Sequence, residues 1–273
     1  MTSIDTPRFV DSHAHLDDAQ FTADIAAVIA SAASVGVDRI VNIGYRPGVW
    51  RSTLALAADW PGVSCTLGLH PNHADEASPA LWAELRRLID EHAPVAIGEI
   101  GIDLFRDHAP LPAQIDAFER QLLLAAEHDL PVVIHQRAAD AEVIASLLRA
   151  PPALRCIHHS FDGGRELLDF AIDRGDYIGV GGLMTRAGST TLRALLAKVP
   201  LDRLLLETDS PYLVPSGVKS RRNEPSNIPS IARALAGLKD VTLAEIAAHT
   251  TANASRALPL VAFAPQEVSG GPR

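Results

Sequence analysis

Short apolar runs alternate with longer stretches of helical periodicity along most of the chain. Eight runs read as strands: RFVDSH, RIVNIG, SCTLGLH, VAIGEIGI, PVVIHQR, RCIHHS, YIGVGG and RLLLETD. Between them lie Ala- and Leu-rich segments with apolar positions three and four apart, among them ADIAAVIASAASVG, PALWAELRRLIDEHA, AQIDAFERQLLLAAEHD and RELLDFAIDRG. Strand and helix in strict succession predict parallel strands joined by crossover helices. Eight such units favour closure into an α/β (β/α)8 TIM barrel, with a doubly wound open sheet as the alternative. Two more helical segments, SNIPSIARALAGL and TLAEIAAHTTANASRAL, follow the eighth strand, so extra C-terminal helices are expected. No linker interrupts the pattern. It predicts a single domain over residues 1–262 and a flexible polar tail over 263–273.

Composition agrees with that picture. The chain has 273 residues, 47% hydrophobic and 21% charged, an ordinary globular balance with length enough for a barrel of about 250 residues. Formal net charge is −9, and Lys198, Lys219 and Lys239 are the only lysines. This excludes a generally basic nucleic-acid coat but not a nuclease, whose phosphates can be met by divalent metals and local arginines. Cys65 and Cys156 each sit in an apolar strand-like run and read as buried free thiols, which fits a reducing cytoplasm. There is no signal-peptide pattern and no apolar run long enough to span a membrane, so a cytoplasmic protein is expected.

The chemistry lies at the strand ends, where parallel barrels place their active sites. The first strand ends in Asp11, His13 and His15, at every second position, so alternation puts all three on one face. The third ends toward His70, the fourth carries Glu99, the fifth ends in His135 and Arg137, the sixth in His158 and His159, and the eighth in Glu207 and Asp209. Any one of these histidines alone reads as a hydrogen-bonded packing residue. Together, at one rim, they would be costly to bury without a divalent cation, for which imidazole and carboxylate are usual ligands. His13 and His15 suit a single cation. Glu99 has two oxygens and can bridge two cations; no lysine lies at a strand end to serve as an alternative bridge. Asp209 can ligate and also accept a proton, or it can cap the turn begun by Ser210 and Pro211. Glu207 can orient a ligand histidine from behind or pair with an arginine. Asp11 steadies the strand end or an imidazole. Downstream, KSRRNEPSN brings Arg221 and Arg222 over the expected mouth; Arg222 and Arg137 are candidate phosphate contacts, with His70 beside them.

An ordered set of motifs carries a resemblance: DSHAHLD, GLHP, AIGEIGID, LPVVIHQRAA, HHSFDGG, then LLLETDSPYLVP followed by RRNEPSNI. The chain resembles the TatD family of metal-dependent deoxyribonucleases, within the wider metallohydrolase barrel superfamily. The resemblance implies a binuclear centre of Mg²⁺, Mn²⁺ or Zn²⁺. His13, His15 and Asp209 would hold one cation, His135 and His159 the other, and Glu99 would bridge them. His159 is preferred to His158 because His159-Ser160-Phe161-Asp162-Gly163 matches the family's His-Cys-Phe-x-Gly, with serine for cysteine. It further implies water-driven cleavage of DNA phosphodiesters, 3′ to 5′, on single strands or 3′ ends, with Asp209 taking the water's proton.

Two other functions compete. The same centre can attack acyl carbon, as a D-aminoacyl-tRNA deacylase, amidase or lactonase would. A non-catalytic, metal-stabilised binding subunit belongs to another class; Asp209 beside the ligands counts against it, since a structural site needs no base. Nothing in the sequence fixes the oligomeric state, and a monomer is compatible with it.

Overall fold

The computed structural model describes residues 7–106 and 108–260; the expected tail over 263–273 lies outside them. Eight parallel strands run in chain order β1 (Phe9–Ala14), β2 (Val37–Gly44), β3 (Val63–Leu67), β4 (Ala96–Asp103), β5 (Val132–Arg137), β6 (Cys156–His158), β7 (Tyr177–Val180) and β8 (Leu204–Leu206). Each pairs with the next. The circle closes between β1 and β8. Ala14 bridges Ser210, the His15 N–H donates to the Ser210 carbonyl (2.7 Å), and the Asp209 N–H donates to the His13 carbonyl (2.9 Å). The expected barrel is the observed one.

Helices α1 (Ile25–Ser34), α2 (Pro47–Asp59), α3 (Pro79–His92), α4 (Leu111–Glu127), α5 (Asp140–Arg149), α6 (Arg165–Arg174) and α7 (Thr190–Leu196) connect the strands. Beyond β8 come α8 (Ile228–Lys239) and α9 (Leu243–Ala257), the expected C-terminal additions. The helix signals are local. Ser78 caps α3 by accepting the Leu81 N–H, with Pro79 in the first turn. Thr242 and Glu245 form a capping box at the start of α9.

The core has two layers. Outward strand residues such as Ile97, Val132, Ile134, Cys156, Leu204 and Leu206 pack beneath the helices. Inward residues Val10, Val41, Ile43, Ala96, Val133, Ile157 and Leu205 fill the barrel, and Ala254, Ala257 and Leu258 of α9 and its end join this cluster. With the interior filled by side chains, polar groups concentrate at the C-terminal mouth. Among the described residues no helix is long and apolar enough to cross a membrane, and Cys65 and Cys156 are buried free thiols.

Candidate active site

The inward column of each strand continues into the mouth. On β5, Val133 is followed two residues on by His135 and then Arg137; beyond β6, Ile157 leads to His159; beyond β8, Leu205 leads to Glu207 and Asp209. The same alternation turns His158 outward, where its Nε2 lies 3.1 Å from the buried Asp176. Two strands break the rule. On β4 the ladder shifts register between Gly98 and Ile100, and the outward residues Ile97 and Ile100 stand three apart. That irregularity aims Glu99 into the barrel mouth, a use of bulges seen next to active sites. On β1 the register shifts between Asp11 and Ala14.

Glu99 is the centre of the arrangement, 4% exposed. Its Oε1 lies 2.7 Å from His135 Nδ1, 3.1 Å from His159 Nε2 and 3.4 Å from His70 Nε2; its Oε2 lies 3.5 Å from His13 Nε2. On the His13 side, Asp209 Oδ1 lies 3.6 Å from His13 Nε2 and 3.3 Å from His15 Nε2. Asp209 adopts a left-handed backbone (φ 56°), unusual for a non-glycine residue and concentrated at functional sites. Burial alone would push the Glu99 carboxyl up. His159 and His70, with the nearby His13 and a hydrogen bond from His135, outweigh it and hold Glu99 well below the usual range. Asp209 is likewise kept low: burial opposes, and the hydrogen bond with His15 and the His159 charge prevail.

Close backbone approach supports this geometry. Gly101 has φ +144°, and a Cβ there would lie 1.9 Å from the His135 carbonyl, so β4 and β5 can bring Glu99 and His135 together only with glycine at 101. Buried glutamines of α4 hold the adjoining loops. Gln121 accepts the Leu69 N–H and donates to the Leu69 carbonyl beside His70; Gln114 does the same for Asp103.

The remaining sequence candidates fall in different places. His70 accepts the Asn72 N–H at Nδ1 (3.1 Å), so its proton resides on Nε2, facing Glu99. Burial, reinforced by His135, lowers its pKa to about 4, which makes it a neutral donor. Glu207 stands behind His159, with Oε1 3.4 Å from Nδ1 and accepting the Ser160 N–H, and among the described residues it has no arginine in an ion pair. Gly179 leaves its room, since a Cβ there would meet the carboxylate at 2.3 Å. Asp11 is not with the imidazoles. Past the β1 register shift its carboxylate accepts the Thr208 N–H (2.9 Å) and hydroxyl (2.5 Å), so it ties β1 to β8.

Arg137 lines the cavity above Glu99, its guanidinium 4.1 Å from the exposed Phe105 ring. Arg222 does not reach that cavity. It is bound to Asp24 (2.9 and 2.7 Å) and Glu224 (2.7 Å) and lies over Phe21. The guanidinium groups at the mouth belong instead to Arg106, Arg137 and Arg186. The cavity measures about 690 Å³ and is also lined by His15, Tyr45, His70, Glu99, Asp209 and Tyr212. Asp103, at the end of β4, was not among the sequence candidates; it lies 3.3 Å from His135 Nε2. Its signal was the two-residue spacing through Glu99, Gly101 and Asp103.

The donor set fits divalent cations. Neither ring nitrogen of the fully buried His13 has a hydrogen-bond partner among the described residues, and His15 Nδ1 also lacks one. Donor atoms of His13, His15 and Asp209 lie within 4.8 Å of one another, as do those of His70, Glu99 and His135. In the second group His70 presents a proton rather than a lone pair, which leaves Glu99, His135 and the adjacent His159 as donors.

A closed parallel barrel with histidines and carboxylates converging at its C-terminal mouth defines a metal-dependent hydrolase. Comparison with known proteins gives the family: the model of the TatD related DNase family matches residues 10–259, and the chain belongs to that family. It is 35% identical over 248 residues to YabD, an uncharacterized metal-dependent hydrolase of Bacillus subtilis, covering 90% of this chain and 97% of that one. It is 38% identical over 253 residues to the 3′-5′ ssDNA/RNA exonuclease TatD of Erwinia tasmaniensis, covering 90% and 98%. The crystal structure of the TatD homologue YjjV from Escherichia coli superposes with a TM-score of 0.88 at 31% identity, covering 94% and 100%.

Proposed function

We propose that the protein is a metal-dependent deoxyribonuclease that hydrolyses phosphodiester bonds from the 3′ end of single-stranded DNA with two divalent cations. The carrying observation is Glu99, whose two oxygens face two donor sets: His13 with His15 and Asp209, and His135 with His159. In this reading His13, His15 and Asp209 would hold one cation, His135 and His159 the other, and Glu99 would serve both. Mg²⁺, Mn²⁺ or Zn²⁺ bound there would lower the pKa of water toward neutrality and offset the charge that grows on the phosphate oxygens.

The protein's own groups do the rest. Asp209, ionised and open to the cavity, accepts the attacking water's proton. His70 donates from Nε2, and Arg137, Arg106 and Arg186 meet phosphate oxygens at the rim. Arg222 is assigned to holding its loop. Glu207 orients His159 from behind. A cavity of about 690 Å³ suits a strand end fed in one unit at a time better than a wrapped duplex. The acidic net charge also favours an end-acting enzyme. The Erwinia relative's stated polarity supports the 3′-to-5′ direction. Two buried thiols suit a reducing compartment such as the cytoplasm.

The test is nucleotide release from 3′-labelled single-stranded DNA with EDTA, Mg²⁺, Mn²⁺ and Zn²⁺ in parallel, beside Glu99→Gln. Metal-dependent release, absent in the variant, is expected. No release with any metal, from protein shown to carry two cations, would overturn the nuclease reading and direct the search to acyl substrates, beginning with charged tRNA.

A further inference from the structure

We propose that Asp103 is a positioning residue for His135: its carboxylate keeps the ring proton on Nε2 and so presents Nδ1 as the bare donor atom toward the Glu99 side. The inference rests on the binuclear reading above and concerns how one of its ligands is prepared.

Asp103 is fixed before His135 meets it. It is 1% exposed at the end of β4. Its backbone is gripped by Gln114 of α4, which accepts the Asp103 N–H (2.9 Å) and donates to its carbonyl (3.2 Å). Its Oδ1 accepts the N–H groups of Phe105 (2.9 Å) and Arg106 (2.8 Å), which close the turn after the strand. That leaves Oδ2, and Oδ2 lies 3.3 Å from His135 Nε2.

The imidazole therefore stands between two carboxylates that are not equivalent. At Nδ1 lies Glu99, whose oxygens also face His13, His70 and His159 and which has the position to share cations. At Nε2 lies Asp103, with one oxygen already committed to a turn. An ionised carboxylate only accepts, so Asp103 holds a proton on Nε2 and, with no cation bound, Glu99 at 2.7 Å holds one on Nδ1. A cation taken up on the Glu99 side would displace the Nδ1 proton alone, because Asp103 retains the one on Nε2, and the Nδ1 lone pair would then face the cation. Partners of this kind behind ligand histidines fix ring orientation and raise donor strength.

Asp103→Asn separates this role from the turn. The amide oxygen can still accept from Phe105 and Arg106, but an NH₂ group then faces His135 Nε2 and requires it to accept. The ring proton moves to Nδ1, the atom meant to hold the cation. Zn²⁺ is the probe. Calorimetric titration of the full chain should give two sites; in Asp103→Asn one should weaken by roughly 10–100-fold while the other keeps its affinity. In ¹⁵N-histidine spectra of the Zn²⁺-loaded wild type, His135 should show a protonated Nε2 and a metal-shifted Nδ1. This second readout stands even if the variant folds poorly.

A His135 that carries its proton on Nδ1 in the Zn²⁺-loaded protein would overturn the proposal. So would Asp103→Asn binding both ions like wild type while His135→Ala loses one. If His135→Ala and wild type take up Zn²⁺ identically, the binuclear reading itself fails, and this inference with it.

Discussion

His13 and His159 stack face to face, ring centroids 3.7 Å apart and planes 14° apart, and the Glu99 carboxylate reaches Nε2 of both. Two imidazolium ions would repel at that distance, so the pair shares its charge unevenly. Burial, then the charge on His159, lowers His13. Burial opposes charge on His159 as well, but Glu99 and Glu207 outweigh it and raise His159 well above its usual value. Without a cation the site thus stores a proton on His159. The sign follows from that shift. A histidine raised in the folded state contributes stability that is complete below its unfolded value and lost as pH rises through the folded one. Acid therefore favours the metal-free protein. Calorimetry in buffers of different ionisation enthalpy should show net proton release on Zn²⁺ binding and weaker binding as pH falls. Uptake without proton release would contradict a protonated His159.

Glu99→Gln keeps the shape of the central side chain and removes its charge. Hydrolysis should fall by more than the roughly 100-fold typical of losing a mere outer partner of a ligand. Circular dichroism should be unchanged. At cation concentrations near 100 times Kd, the wild type gains about 2.7 kcal/mol, on the order of 5–10 °C in Tm for a chain of this size. Glu99→Gln should lose most of that gain. Full activity in the variant would remove Glu99 from the chemistry.

Arg222 and Arg137 should behave in opposite ways. Arg222 sits in a partly exposed pair with Asp24 and Glu224, so Arg222→Ala should cost about 1 kcal/mol of stability and leave KM for DNA close to wild type. Arg137 lines the cavity, so Arg137→Ala should raise KM severalfold with little change in Tm. Kinetics and thermal melts on the two variants decide the matter. A raised KM confined to Arg222→Ala would restore the loop after β8 as the phosphate contact.

The contrast shows what was legible in the sequence. Element order was, because each strand is a short apolar run and each helix keeps its period. On β5, β6 and β8 alternation is unbroken, so apolar positions such as Val133, Ile157 and Leu205 already determine that His135, His159 and Asp209 face inward and His158 outward. On β1 and β4 the ladder slips. Asp11, grouped with His13 and His15 by simple alternation, turns to Thr208, and the inward aim of Glu99 depends on a register shift that no period of two describes. The surroundings of Arg222 are illegible for a different reason. A basic run beyond a strand has no local signal for its partner, and Asp24 is 198 residues away. Asp103 is harder to read, because a carboxylate at the end of a strand looks like a turn residue, and it also is one.

Asp11 offers a test of that β1–β8 seam. It is fully buried, its carboxylate held by the Thr208 N–H and hydroxyl and, at 3.3 Å, by the His13 N–H. Burial outweighs those hydrogen bonds and raises its pKa from 3.8 to about 7, with Glu207 adding to the effect. A carboxyl raised on folding binds its proton more tightly in the native state. The stability this confers is greatest below the unfolded value and is lost as pH climbs through the folded one. Asn at 11 mimics the protonated form at every pH: its oxygen accepts both N–H groups and its NH₂ faces the Thr208 hydroxyl. In chelator-treated protein, shared contributions from the histidines cancel between the two forms. Urea unfolding should then show the stability of Asp11→Asn relative to wild type rising by about 2–3 kcal/mol between pH 5 and pH 8. A difference that stays constant across that range would mean that Asp11 is ionised throughout. The seam would then be held by a charged carboxylate on Thr208, and a neutral substitute would be destabilising at both pH values.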